Sequence, residues 1–355
     1  GQRSAGGVRS HADAVSGIMS PCTHAEDPSR IPKAKRCPMP ARSAVGSAAE
    51  RSIAVIDGNS LLHRAFHAVQ TPMNAPDGTP TNAVFGFISM LLKMIETGRP
   101  DAIVCAWDTH RPTWRKELLD DQYKAQRAPM DDDLKVQFPL VQALLEAMNI
   151  PNIAIDEYEG DDILGTFSVL GEAAGMRVFL ITGDKDAYQL VTDKTSVVTT
   201  KKGMSDVVVY TPDKVLERYG VTPAQVPDFL GLKGDPSDNI PGVPGIGEKT
   251  AARLLSQYGT LDELIAHADE VKGKMGQNLR EHVDDARISR DVATIRKDAP
   301  VDLDLDALHF PDFDAKVVAD AFGSLHFNRH LREVLALAGA DAVAAGAQAA
   351  GKPAS

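Results

Sequence analysis

Ile53-Ala-Val-Ile-Asp-Gly-Asn-Ser-Leu-Leu-His-Arg64 reads as a buried strand that stops at an acid and turns directly into a helix. The run Ile53–Ile56 has the length and apolar composition of a strand covered on both faces. Asp57 closes it, and helical periodicity sets in from Leu61. The same unit recurs downstream. Ala102–Trp107 is a strand run closed by Asp108, and Val178–Ile181 stops shortly before Asp184. Ile150–Ile155 predicts a further strand. Helical spacing runs over Asn82–Glu96, Val136–Met148 and Ile163–Ala174, with Val84, Phe87, Ile88, Leu91, Leu92 and Ile95 marking the apolar stripe of the first. Strands alternating with helices predict an α/β fold built on a doubly wound, mainly parallel sheet.

Working outward, the flanks lack such periodicity. Residues 1–50, rich in Ser, Ala, Gly, Pro and Arg, predict a disordered, mildly basic tail, and the Ala/Gly-rich residues 338–355 a flexible one. The α/β pattern spans 51–211 and includes a highly charged segment, 112–133. From about Pro212 the pattern turns helical, which predicts a second subdomain over 212–337. Lys201 and Lys202 precede Gly203 between two strand-like runs and read as a decorated hairpin.

Apolar residues make up 43% of the 355, enough for a sizeable core. No run of eighteen apolar residues occurs, so no membrane span is expected. The sequence also lacks a secretory-signal layout. Three scattered cysteines (Cys22, Cys37, Cys105) offer neither a disulfide framework nor a zinc site, and a reducing cytoplasm is the expected setting. The net charge of −11 argues at first against a nucleic-acid partner. Gathering acids into one cation site removes that objection, because bound ions invert the local field.

Those acids are legible one by one. In open α/β sheets ligands collect at the carboxyl ends of strands, where Asp57, Asp108 and Asp184 are expected. Singly, each has a plain explanation as a helix N-cap. Accumulation weakens it. Glu159-Gly-Asp161-Asp162 opens a helix with more acid than capping needs. Asp184-Lys-Asp186 and Asp235-Pro-Ser-Asp238 add two more pairs. Converging carboxylates would raise one another's pKa unless divalent cations relieved them. An all-oxygen donor set favours Mg2+ or Mn2+ over Zn2+. Such a site suits hydrolysis by a two-ion clamp, and no nucleophile elbow or Cys–His pairing competes with it.

In this order the segments resemble the 5′-nuclease family, which comprises the 5′→3′ exonuclease domain of bacterial DNA polymerase I and the flap endonucleases. The resemblance rests on Ile56–Arg64, Ala106-Trp-Asp108, Tyr123-Lys-Ala-Gln-Arg127, Tyr158-Glu-Gly-Asp-Asp162 and Thr182-Gly-Asp-Lys-Asp-Ala-Tyr-Gln-Leu190. It continues through Gly234-Asp-Pro-Ser-Asp-Asn239 and Pro241-Gly-Val-Pro-Gly-Ile-Gly-Glu-Lys-Thr250, and covers residues 52–337. It implies a structure-selective 5′→3′ exonuclease and 5′-flap endonuclease acting on DNA ends, flaps, nicks and RNA–DNA primers in replication and repair. A free-standing, monomeric nuclease is the simpler expectation, and a domain excised from a DNA polymerase I would read the same. By the resemblance Asp57, Asp108, Glu159 and Asp161 serve the first divalent cation. Asp184, Asp186 and Asp235 serve the second, with Asp162 and Asp238 completing the cluster; a third ion is left open. Where relatives often carry Ala, this chain has Gly160.

The resemblance makes 112–133 a helical arch over the site, though a surface helix with one apolar face (Trp114, Leu118, Leu119, Tyr123) is an equal reading of the residues. In the arch, Lys124 and Arg127 would be the catalytic cations on the scissile phosphate and Tyr123 would stack on a base. Arg64 would hold a phosphate. The glycines of 242–247 fail as a P-loop, because Glu248 stands where lysine is required. They read instead as a helix–two-turn–helix hairpin. Gly242, Gly245 and Gly247 permit close backbone approach, Lys249, Thr250 and Arg253 face duplex phosphates, and loop carbonyls are a place for K+. His63, His67, Met90 and Met94 are expected in solvent or core roles.

Three rivals stand beside this. A haloacid-dehalogenase-type phosphatase needs an acid at position 59, which is Asn. A PIN-type ribonuclease would not need the arch or the helical half. A non-catalytic flap- or duplex-binding protein of the same fold would need only the hairpin.

Overall fold

In a computed structural model the described residues are 50–109, 113–119, 122–200 and 207–339. All lie in the unit Cys37–Ser355, while the unit Gly1–Arg36 falls outside them. The tails expected over 1–50 and 338–355 are thus almost wholly outside the described residues, as are Lys201, Lys202 and Gly203.

Six strands form one sheet in the order β3-β2-β1-β4-β5-β6. They are β1 (Ser52–Asp57), β2 (Ala102–Ala106), β3 (Asn152–Ile153), β4 (Arg177–Ile181), β5 (Thr195–Thr200) and β6 (Val207–Tyr210). All neighbours run parallel except β5 and β6. This is the mainly parallel, doubly wound sheet that the sequence predicts. The third strand is only two residues long, shorter than Ile150–Ile155 implies.

The helices are α1 (Gly58–Ala68), α2 (Asn82–Gly98), α3 (Trp114–Leu119), α4 (Asp132–Lys135), α5 (Phe138–Ala147), α6 (Gly160–Ala173) and α7 (Pro212–Tyr219). They continue with α8 (Val226–Lys233), α9 (Glu248–Tyr258), α10 (Leu261–Ala266), α11 (Gly273–Glu281), α12 (Val283–Ala293), α13 (Ala315–Ser324) and α14 (Asn328–Leu337).

Strand alternation divides the core in two. Ile53, Val55, Val104, Val178 and Leu180 face Ile163 and Phe167 of α6, and that core runs on without a break into α7–α12. Ala54, Ile56, Ile103, Cys105 and Ile181 point the other way, onto α1, α2 and α5. The expected helical subdomain 212–337 therefore divides. Helices α7–α12 extend the first core, whereas Val318, Phe322, Leu331 and Val334 of α13 and α14 pack into the second. Helical periodicity alone carried no information about which face each helix covers. Met90 and Met94 are buried there, as expected. Among the described residues no helix is long and apolar enough to cross a membrane.

The register decides where the acids stand. Asp57 pairs with Ala106, and Ile56 with Ile181, so the carboxyl ends of β1, β2 and β4 are level. The chain winds from β1 toward β3 on one side and crosses to β4 on the other. Such a reversal opens a crevice above the strand ends.

Candidate active site

At the end of β1, Asp57 does two jobs. Its Oδ1 accepts from the Ser60 amide at 2.9 Å and starts α1 three residues earlier than the apolar pattern shows. Its Oδ2 accepts from Thr182 Oγ1 at 2.7 Å, which links β1 to the loop after β4. Thr182 in turn accepts from the Asp184 amide at 3.0 Å. Beyond β2, the Asp108 amide donates to Asn59 Oδ1 at 3.1 Å, and its carboxylate accepts from the Gly160 amide at 2.7 Å. A Cβ at position 160 would stand 3.2 Å from that carboxylate oxygen, so glycine lets α6 approach Asp108 closely.

Asp57, Asp108, Glu159, Asp161 and Asp184 line one cavity with Asn59, Ser60, His63, Lys124 and Arg127. Asp184, Asp186 and Asp235 line a second, which shares Ser60 and Asp184 with the first and also contains Arg64. Sequence-distant acids thus meet along one row. Burial and the neighbouring charges of Asp108 and Asp184 push Asp57 up to about 7. Burial and the charges of Asp184 and Asp57 hold Asp161 well above the carboxylate range, and its Oδ1 is buried without a hydrogen-bond partner among the described residues. Burial, Asp184 and Asp235 raise Asp186 in the same way. Burial also raises Asp108 and Asp184.

Glu159 goes the other way. Against the burial that would raise it, Lys124 and Arg115 keep it low. Lys124 Nζ donates to Glu159 Oε2 at 2.7 Å and stands 3.8 Å from Asp238, while Arg127 pairs with Asp238. The two cations therefore sit among the acids. Among the described residues no three His, Cys, Asp or Glu side chains stand ready to grip a single ion. The donor set nevertheless fits divalent cations. It is all oxygen, crowded enough to lift its own pKa values, and it holds an orphaned carboxylate oxygen at Asp161.

Three expectations change. Asp162 was expected in the cation cluster, but it is fully buried in the first turn of α6 and lines neither cavity. Arg115 clamps both its oxygens at 2.8 Å, and Trp114 Nε1, the Glu159 amide and the Arg296 amide complete its partners. Asp162 has no free lone pair aimed at the cavity and acts as a structural anchor. Tyr123 was expected to stack on a base. It is 4% exposed, and its hydroxyl donates to Glu159 Oε2 at 3.1 Å, so its ring is not presented to a ligand. Nor do the described parts of 112–133 form one continuous helical arch. They consist of α3, a turn around 122–126 pinned by the Lys124 amide to the Asp238 carbonyl at 3.1 Å, and the short α4.

Arg115, Thr182 and Asn59 escaped the sequence reading. Arg115 sits in a charged run like its neighbours, and its partner lies 47 residues away, so no local signal marks it.

The hairpin joins α8 to α9. Gly234 and Gly242 have φ of +68° and +61°, and a Cβ on Gly242 would fall 2.3 Å from the Gly234 nitrogen. Only glycine allows the two passes of chain to cross there. Gly245 also has positive φ, and Gly247 caps α9, which begins at Glu248 rather than at Lys249. Lys249 and Arg253 are exposed on α9, and Thr250 is half-buried. His63 is half-buried edge-on to Phe138, and His67 is exposed.

Comparison with known proteins agrees with this arrangement. Residues 52–220 match the family described as 5′-3′ exonuclease, N-terminal resolvase-like domain, and residues 221–316 its companion, 5′-3′ exonuclease, C-terminal SAM fold. DNA polymerase I of Bacillus caldotenax is 43% identical over 286 residues, covering 80% of this chain. That of Bacillus subtilis (strain 168) is 42% identical over 286 residues, also covering 80%. The chain spans about a third of the length of these relatives, 32% in both cases. In fold, it resembles T5 5′-exonuclease with divalent zinc ions bound (TM-score 0.57, 21% identity, 81% of this chain and 100% of that one). It also resembles the catalytic core of Rad2 in complex with DNA substrate (TM-score 0.53, 17% identity, 81% and 91%). With the strand-end acids in one crevice and both halves of the family pattern in register, the chain belongs to the 5′-3′ exonuclease family of phosphodiester-hydrolysing nucleases.

Proposed function

We propose that this chain cuts DNA at 5′ ends and 5′ flaps, releasing 5′-phosphate and 3′-hydroxyl ends, with two divalent cations, Mg2+ or Mn2+. The observation that carries the reading is the set of carboxylates lining two cavities that have Asp184 in common, with Lys124 and Arg127 in the first. Asp57, Asp108, Glu159 and Asp161 are the residues to hold the first ion, and Asp184, Asp186 and Asp235 the second. When bound, the ions polarise the phosphodiester and acidify the attacking water.

The chain's own groups do the rest. Thr182 and Ser60 fix the Asp57 carboxylate, and the Gly160 amide fixes Asp108. Lys124 and Arg127, now paired with Glu159 and Asp238, exchange those partners for the scissile phosphate and offset its developing charge. Asp238 is thus a resting partner for the two cations as much as a cation ligand. Arg64, beside Gly183 and Asp184, is placed to hold a neighbouring phosphate. The hairpin grips the duplex backbone through Lys249, Thr250, Arg253 and the start of α9, with carbonyls of the 242–247 turn as the place for K+. The protein works as a monomer in the cytoplasm on flaps, nicks and primer ends.

The test is cleavage of an end-labelled 5′-flap duplex with Mg2+ or Mn2+. Asp186→Ala should abolish cutting while flap binding persists, and Lys124→Ala should slow single-turnover cutting by about 10²-fold with a smaller change in affinity. Wild-type cutting by Asp186→Ala would refute the site.

A further inference from the structure

Gln189 belongs to the same sequence motif as Asp184 and Asp186, yet it lines neither cavity. Its amide makes three hydrogen bonds, all to main chain. Nε2 donates to the carbonyls of Asp186 and Ala293, each at 2.9 Å, and Oε1 accepts from the Ile295 amide at 2.9 Å. Two of these partners lie in a short strap, 292–296, where α12 ends. The same strap holds the start of α6, which presents Glu159 and Asp161. The Arg296 amide donates to Asp162 Oδ1 at 2.9 Å, and the Val292 carbonyl accepts from Arg115, which grips both oxygens of Asp162. A Cβ on Gly165 would fall 2.4 Å from the Arg296 carbonyl oxygen, so glycine lets α6 lie directly on the strap. On the other side, the Asp186 amide donates to Asp184 Oδ1 at 2.9 Å. The main chain of Asp186 is therefore tied twice: its N–H orients the Asp184 carboxylate, and its carbonyl is held by Gln189.

We propose that Gln189 is a positioning residue for the second cation site. It locks the 184–186 loop to the strap that also anchors the start of α6, and so fixes the two groups of acids relative to each other. The inference rests on the two-cation function proposed above and deepens it. A two-ion clamp works only at a set separation, ~3.5–4 Å. The acids for the two ions come from separate elements, so those elements must be held in register. The polarity of the three partners dictates the side chain that can do this. Two carbonyls need N–H donors and one amide needs an acceptor, and a carboxamide supplies both from one planar end. Glutamate would supply only the acceptor, and leucine neither. Capping the end of α12 would require only the bond to Ala293. The bond to Asp186 is what joins the strap to the acids.

The experiment is Mn2+ titration of the whole chain by calorimetry, without DNA, with melting in EDTA recorded on the same samples. The wild type should bind two ions. Gln189→Leu, which loses all three bonds, should weaken one ion by about 10- to 100-fold and leave the other near its wild-type affinity. Gln189→Glu keeps the acceptor for Ile295 but cannot donate to Asp186, and it should show the same selective loss. Thr166→Val is the control. Thr166 accepts from the Ala299 amide at 3.0 Å, which ties the chain just past the strap to α6 away from the 184–186 loop. Its loss should lower the melting temperature in EDTA without changing Mn2+ binding. Wild-type Mn2+ affinities in both Gln189 variants would overturn the assignment. So would an equal loss at both ions, or an equal loss in Thr166→Val, either of which marks general loosening. If neither Gln189 variant folds, the residue serves the fold at large and the assignment falls. Two ions bound by the wild type and undisturbed in the Gln189 variants sink the positioning role alone. No ion bound by the wild type sinks the two-cation function beneath it.

Discussion

At the scale of single residues, Arg115 shows how much one side chain can hold. It is 3% exposed, binds both oxygens of Asp162, and donates Nε to the Val292 carbonyl at 3.0 Å. Removing one partner of a buried pair strands the other. Arg115→Ala should therefore cost about 3–5 kcal/mol in denaturant unfolding. A loss below about 1 kcal/mol would mean that water reaches Asp162 and screens it as at a surface. Residue by residue, the site was legible to different depths. Asp57, Asp108 and Asp184 could be read because a strand end fixes where its last side chain goes. Asp162 could not, since an acid in the first turn of a helix looks the same whether it faces the crevice or a buried guanidinium. Tyr123 was misjudged for the same reason, as its partner Glu159 is distant in sequence.

At the scale of elements, two devices make separate forecasts. Helix α14 docks on α2 through His330, whose Nε2 lies 2.8 Å from Ser89 Oγ. Ser89 donates its own proton to the Phe85 carbonyl, so Nε2 is the donor, and Nδ1 is left buried with no partner among the described residues. Phe85 and Phe327 pack against the ring, and burial, helped by Arg329 and opposed by Glu333, lowers its pKa below 6.5. The unfolded chain then binds the proton more readily. Stability from this histidine is complete above about pH 6.5 and is lost as the pH falls toward the folded value. The thermal midpoint should drop between pH 6.5 and 5, and His330→Gln, which keeps a donor but cannot titrate, should flatten part of that drop. An identical pH profile in the variant would reject this. The hairpin makes the second forecast. If Lys249 and Arg253 each neutralise a phosphate, their double alanine variant should lower the slope of log affinity against log salt by about 2. An unchanged slope would place the duplex elsewhere. The hairpin was legible because the glycines of 234–247 have few other uses. The split of the helical half between two cores was not, since an apolar stripe does not name the surface that it covers.

For the molecule as a whole, the sheet brings together acids from β1, β2, β4, the start of α6 and the loop after α8, which repel one another when no cation is present. Ions that bind only the folded state add RT ln(1 + [L]/Kd) to stability. Mn2+ at about 100 times its Kd should thus raise folding stability by about 2.7 kcal/mol. Calorimetry should register this as an upward shift of the melting temperature that largely disappears in Asp186→Ala. No shift in the wild type would mean that the carboxylates are not a cation site. The overall layout was legible because alternating strands and helices leave few ways to wind a parallel sheet. The basic turn folded among the acids was not, because its contacts join residues far apart in sequence, Lys124 with Glu159 and Arg127 with Asp238.

One wall stands between the two cavities, and Asp184 is part of it on both sides. Any replacement there disturbs two rooms at once, so a dead Asp184 variant cannot report which of them failed. Asp161 borders only the first and Asp186 only the second. Comparing that pair assigns each defect to its own chamber, and makes Asp184 the position at which the two effects should fail to add.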